Sequence, residues 1–185
     1  LDVCTDLNRE GLGFDLQPHH RDVVEGDARH LPLEDDSVDF AFIDPPYGRN
    51  LRYSERKECV GELDAREDAY FEAMGQIFEE MWRVVKPGGH MAVYAADVLK
   101  KGTFVPIGSQ FIFMLSQIVE IVDHVVVVRG NKDLKKGNYH KAAEEQNFFL
   151  RGFQHLIIAR KPIEVVDTAT AQKPKRKKKK RKPRS

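Results

Sequence analysis

Apolar positions along this chain follow two rhythms. Across residues 67–85 they recur at steps of three and four, at Tyr70, Met74, Ile77, Phe78, Met81, Trp82 and Val85, which predicts a helix with one apolar face given to the core. Residues 108–119 repeat the pattern through Phe111, Ile112, Leu115 and Ile118 and predict a second helix. Short apolar runs at 11–16, 23–29, 40–43, 90–95, 121–129 and 154–160 predict strands, and residues 1–8 read as the body of a helix. Between these lie the breaks. Lys86-Pro87-Gly88-Gly89 predicts a helix stop and a turn, residues 100–106 a loop, and the polar stretch 131–147 an excursion over the active-site face or a mobile segment. Strands interleaved with helices predict an α/β domain over residues 1–162, with a flexible tail over 163–185.

One run differs from the rest in how it ends: Asp39-Phe40-Ala41-Phe42-Ile43-Asp44-Pro45-Pro46-Tyr47-Gly48. Its continuous apolar centre predicts a parallel strand covered on both faces, and the two prolines stop ladder pairing abruptly at the carboxyl end, where ligands of open α/β sheets bind. Asp44, Pro45, Pro46 and Tyr47 suit the activation of an exocyclic amino nitrogen. The lone pair of such a nitrogen is delocalised into its ring. The Asp44 carboxylate and the Pro45 carbonyl, accepting its two N–H bonds, draw it toward tetrahedral geometry, while the prolines hold both acceptors rigid. Tyr47 is expected to stack on the base, a contact worth about 1–3 kcal/mol.

Charge sharpens this picture. Ten of the 30 Lys and Arg lie within residues 173–185, which hold no acid, and without that stretch the net charge falls from +1 to −9. A run of this kind repels itself into disorder and suits phosphate contact, nuclear targeting or simple solubility. The polar loop from residue 48 onward offers Arg49, Arg52 and Arg56 as candidate phosphate contacts, or as plainly solvated side chains. Cys4 and Cys59 lack metal-ligand spacing, so neither a metal site nor a disulfide framework is expected. No stretch has membrane-spanning character and the start has no signal-peptide layout, which predicts an intracellular protein, cytoplasmic in a bacterium or phage and nuclear elsewhere through the basic tail.

The Asp44-Pro45-Pro46-Tyr47 turn after an apolar strand resembles the catalytic motif of the S-adenosylmethionine-dependent DNA amino-methyltransferases, the N6-adenine and N4-cytosine enzymes. The likeness covers roughly residues 9–161. It implies a Rossmann-like class I methyltransferase sheet, S-adenosyl-L-methionine as cofactor, DNA as partner and a base flipped out of its stack. It further implies that Asp27 meets the adenine amino group of the cofactor, that the Ala28 N–H serves a ring nitrogen, that Asp44 lines both sites, and that Phe149 or Phe153 walls the base pocket unless it packs in the core. Asp15, an acid at the end of a strand, is expected on the ribose hydroxyls or as the cap of a surface turn. Val84 to Gly89 matches a turn common to many methyltransferases. Two family features are missing: a glycine-rich turn between first strand and first helix, and a target-recognition domain. Gly11 and Gly13 precede a strand end and do not replace that turn, so a partner or an N-terminal segment is expected to supply it. Asp44 favours adenine N6 over cytosine N4, since the cytosine enzymes more often carry serine there. Asp44 to Arg49 also resembles the transfer-RNA guanine-N2 enzymes, and a non-catalytic nucleic-acid-binding remnant is the reading from another class.

Overall fold

The computed structural model describes residues 1–47, 56, 59–100, 102–128 and 139–163. Their elements are α1 (Asp2–Asp6), β1 (Gly13–Asp15), β2 (Val23–Glu25), β3 (Val38–Ile43), a 3-10 turn (Val60–Glu62), α2 (Asp68–Val84), β4 (Val85–Ala95), β5 (Val98–Lys100), β6 (Thr103–Val105), α3 (Ile107–Ser116), β7 (Glu120–Val128), α4 (Tyr139–Gln146) and β8 (Phe153–Arg160).

The central sheet has the order β3-β4-β8-β7. β3 and β4 run parallel, while β8 lies antiparallel between β4 and β7. β1 and β2 form a separate parallel pair, and among the described residues no ladder joins them to the central sheet. Parallel β3 and β4 need a long crossover, and α2 supplies it. Its apolar stripe buries Tyr70, Met74, Ile77, Phe78 and Met81 against Met91, Val93, Ile157 and Ala159 of the sheet, with Phe111 and Leu115 of α3 in the same cluster. Each such side chain contributes about 1.5–3 kcal/mol by leaving water.

That packing covers one sheet face. Ala41 and Ile43 contact the core, whereas Phe40 and Phe42 point the other way and are each 57% exposed. The expectation that this strand is covered on both faces therefore fails among the described residues: β3 is an edge strand, and α2 and α3 share the opposite face.

Three further differences have local causes. β4 begins at Val85, directly after α2, because Val38 pairs with Val85 and Phe40 with His90, so Lys86-Pro87-Gly88-Gly89 bulges out within the ladder. Gly88 sits at φ +83°, and a Cβ on Gly89 would lie 2.8 Å from the Asp39 carbonyl oxygen, so the turn requires both glycines. The expected loop at 100–106 contains the second strand of a small hairpin, β5–β6, with Gly102 at φ +79°. Part of the polar stretch 131–147 folds as α4.

The segment entering β3 is tied to the end of α2. Arg83 donates to the carbonyls of Leu31 and Leu33 and to Asp35, Glu80 accepts the Leu31 N–H at 2.6 Å, and Lys161 bonds Asp36 at 2.6 Å. Asp35 and Asp36, which in sequence read as solvated turn residues, anchor this corner.

Candidate active site

Asp44 is the first residue past β3 and stands exposed at the carboxyl end of the strand. Pro45 is buried, and Pro46 and Tyr47 are half-buried. Neither proline has an N–H to continue a ladder, which is why the strand ends there. The turn is then fixed from below: Tyr70, fully buried on α2, donates its hydroxyl to the Pro46 carbonyl at 2.8 Å. A buried hydroxyl with a satisfied bond holds the backbone of the motif against the core.

Tyr47 packs against the core cluster and donates its hydroxyl to Asp44 Oδ1 at 2.5 Å. Burial, followed by the bond to Asp44, pushes the Tyr47 phenol far above the ordinary tyrosine range, so it remains a neutral donor. Nearby, Tyr94 on β4 donates its hydroxyl to Gln154 Oε1 on β8 at 2.7 Å. β8 runs antiparallel to β4, which brings its first residues to the end of the sheet that carries Asp44.

The other sequence-predicted residues are distributed as follows. Asp15 ends β1, and its Oδ1 accepts the Gln17 N–H at 2.7 Å, so it caps the following turn. Asp27, just after β2, takes the Arg29 guanidinium on both oxygens at 2.6–3.1 Å; that bond holds its carboxyl below the usual carboxylate range. Ala28 contacts the core cluster. Carboxylates retain lone pairs beyond such bonds, so Asp15 and Asp27 fit the hydroxyl and amino donors of a nucleoside. Gly11 faces Cys4 and Leu1, where a Cβ would approach to 3.0 Å, so it lets α1 lie against β1.

Phe149 is 92% exposed, and Phe153 meets His155 edge-on on the opposite face of β8 from Gln154. Arg49, Arg52 and the basic tail lie outside the described residues, and Arg56 is paired with Glu25 at 2.6 Å. A groove of about 660 Å³ between α2, β6 and α3, lined by Phe71, Phe104, Phe113 and Met114, contains none of the motif residues. Among the described residues no His, Cys, Asp and Glu cluster suits a metal ion, and no helix is long and apolar enough to cross a membrane.

Sequence reasoning read Tyr70 only as core; the available signal was a hydroxyl-bearing ring within an otherwise apolar helix stripe.

A sheet whose last strand inserts antiparallel beside a parallel pair, with Asp-Pro-Pro-Tyr at the carboxyl end of the edge strand, defines a Rossmann-like methyltransferase domain. Known proteins agree. The DNA methylase family of N6/N4 methyltransferases matches residues 38–185, and the chain belongs to that family. Among solved structures, it is similar to a Thermus thermophilus protein described as a DNA modification methylase, with TM-score 0.54 and 15% identity over 82% of this chain and 52% of that one. The S-adenosyl-L-methionine complex of the same protein gives TM-score 0.52 at 16% identity, covering 82% and 57%. An Archaeoglobus fulgidus SAM-dependent methyltransferase gives TM-score 0.53 at 15% identity, covering 86% and 80%. At these identities the likeness shows the fold, and the chain spans about half the length of the Thermus protein. Curated proteins give no match. Asp15, Asp27 and Ala28 precede the family-matched residues.

Proposed function

We propose that this chain carries the catalytic centre of a DNA methyltransferase that uses S-adenosyl-L-methionine to methylate the exocyclic amino group of a flipped base, adenine N6 in preference to cytosine N4. The observation that carries the reading is Asp44, a carboxylate exposed at the carboxyl end of β3 on a turn that Tyr70 pins through the Pro46 carbonyl. Family membership supports the class of reaction.

Asp15 and Asp27 are the residues that would hold the nucleoside end of the cofactor, Asp15 toward ribose hydroxyls and Asp27, with the Ala28 N–H, toward the adenine ring. When bound, that cofactor supplies an electrophilic methyl group. The chain's own part is acceptance and orientation. Asp44 and the Pro45 carbonyl accept the two amino hydrogens, which frees the nitrogen lone pair from its ring, and rigid acceptors give the gain through preorganisation. In a duplex the amino group lies edge-on in the major groove, so the base must leave the stack to meet Asp44. The preference for adenine rests on an aspartate at position 44.

Mass spectrometry of nucleosides from DNA and RNA incubated with the protein and labelled cofactor tests this. N6-methyladenine in DNA is expected. N4-methylcytosine alone would overturn the base assignment, N2-methylguanosine in RNA would replace the substrate, and absence of label would favour a non-catalytic domain.

A further inference from the structure

The β5–β6 hairpin leaves the carboxyl end of β4, and β8 enters the sheet at that same end, the one that carries Asp44 on the parallel β3. Two side chains distant in sequence meet there. The Arg151 guanidinium, two residues before β8, lies over the ring of Phe104 on β6, with Cζ 5.3 Å from the ring centroid. A cation at that separation is attracted to the ring face, which steadies a long side chain. Arg151 is only partly exposed, yet among the described residues nothing accepts from its guanidinium. Arg66, on the wall of the groove that Phe104 borders, is spent: its Nε and Nη2 donate to Asp64 at 3.0 and 2.7 Å. Arg151 therefore keeps a planar fork of free donors, the geometry that suits phosphate.

We propose that Arg151 and Phe104 bind one nucleotide of the nucleic-acid substrate outside the catalytic turn, Arg151 on its phosphate and Phe104 against its base. The inference rests on the reading of nucleic acid as substrate and adds a contact to those of Asp44. Phe104 is 49% exposed, so its ring is available to a flat partner. Asp68 and Glu72 stand on the α2 wall of the groove and repel phosphate, which confines the backbone to the Arg151 side and leaves a neutral base for the ring. Every base has a π-face and every step has a phosphate, so this pair holds a strand without reading its sequence. An apolar peptide in the same groove would lie on Phe71, Phe113 and Met114 and would have no use for an unpaired guanidinium.

The test measures binding of a labelled single-stranded oligonucleotide by fluorescence anisotropy over a range of salt, with the full chain and with Arg151→Gln and Phe104→Leu. Arg151→Gln should weaken binding and lower the slope of log affinity against log salt by about 0.7, the share of one phosphate on a single strand. Phe104→Leu keeps an apolar side chain on the hairpin and should weaken binding about tenfold with the slope unchanged, since stacking carries no counterion. Ultraviolet crosslinking of the parent protein to an oligonucleotide containing iodouracil should place the crosslink on the peptide that carries Phe104, a reading that needs no variant to fold. Parent affinity and slope in both variants, or crosslinks confined to other peptides, would overturn the proposal and leave the groove to a protein partner. A parent that binds the oligonucleotide through these residues but methylates neither DNA nor RNA would sink the methyltransferase reading alone. One that methylates while both variants bind as it does would sink this inference alone.

Discussion

Tyr70 serves the site with both ends of one side chain. Its ring is fully buried, edge-on to Phe71 and stacked with Phe111, and its hydroxyl reaches the Pro46 carbonyl. Tyr70→Phe keeps the ring and leaves that carbonyl without its donor. We expect a loss of about 1–2 kcal/mol in urea unfolding, accompanied by a fall in turnover, because the acceptors of the motif lose their anchor. Two carboxylates contribute to the acid sensitivity of the fold, alongside Asp64, which Arg66 and Lys100 hold well below the usual carboxylate range. Arg83 and the Leu31 N–H hold the Glu80 carboxyl below its ordinary value of 4.5, and Arg29 holds Asp27 below 3.8. A depressed folded value means that the stabilisation is present in full above the ordinary value and is lost as pH falls through the folded one. Stability should therefore hold from neutrality to about pH 5 and decline below 4.5, and Glu80→Gln should flatten that decline; an unchanged acid profile in that variant would show that Glu80 has no part in it. Asp44 was legible in the sequence because two prolines after an apolar run mark a strand end with unusual stiffness. The bond from Tyr70 to the Pro46 carbonyl was not, because residues 46 and 70 meet only once α2 packs on the sheet.

The close seat of α3 on β8 depends on one glycine. Gly108, in the first turn of α3, donates its N–H to Asp97 at 2.9 Å, and a Cβ there would lie 2.2 Å from the His155 ring. That ring has nowhere to retreat, being stacked on His124 at 5.1 Å and bonded to it at 2.9 Å, with Phe153 against its edge. Gly108→Ala should cost about 1–3 kcal/mol as overpacking and separate the two histidines, which thermal melts and the histidine ring signals in NMR would report. A melting temperature equal to the parent's would show that α3 has room to shift. At this scale the helices were the most legible elements, since α2 and α3 follow the 3.6-residue rhythm closely. Strand environments were less so: an unbroken apolar run reads alike whether one face of β3 is covered or two, and only the position at the sheet edge distinguishes them. The start of β4 was obscured because Pro87, Gly88 and Gly89 signal a turn even where the ladder bulges around them and continues.

For the whole molecule, the proposed function makes the distribution of charge testable. Residues 1–172 carry a net charge of −9, whereas residues 173–185 carry ten cations and no acid, so on the proposed reading that run contributes strongly to attraction for phosphate. A run of Lys and Arg neutralises phosphates but reads no base edges. Deleting 173–185 should weaken DNA binding and reduce the slope of log affinity against log salt by about 0.9 for each phosphate no longer neutralised, with the modified base unchanged. Unaltered affinity and slope would leave the tail without a role in binding.

The proposed chemistry turns on Asp44, and single-turnover methyl transfer by Asp44→Ala tests it most directly. Asp44 stands exposed past the strand end, so the variant should fold with an unchanged melting temperature. Losing one preorganised acceptor should slow transfer by about 10²–10³, or roughly 3–4 kcal/mol in the barrier. Transfer near the parent rate by a folded Asp44→Ala protein would contradict the assignment of Asp44 as the group that activates the amino nitrogen.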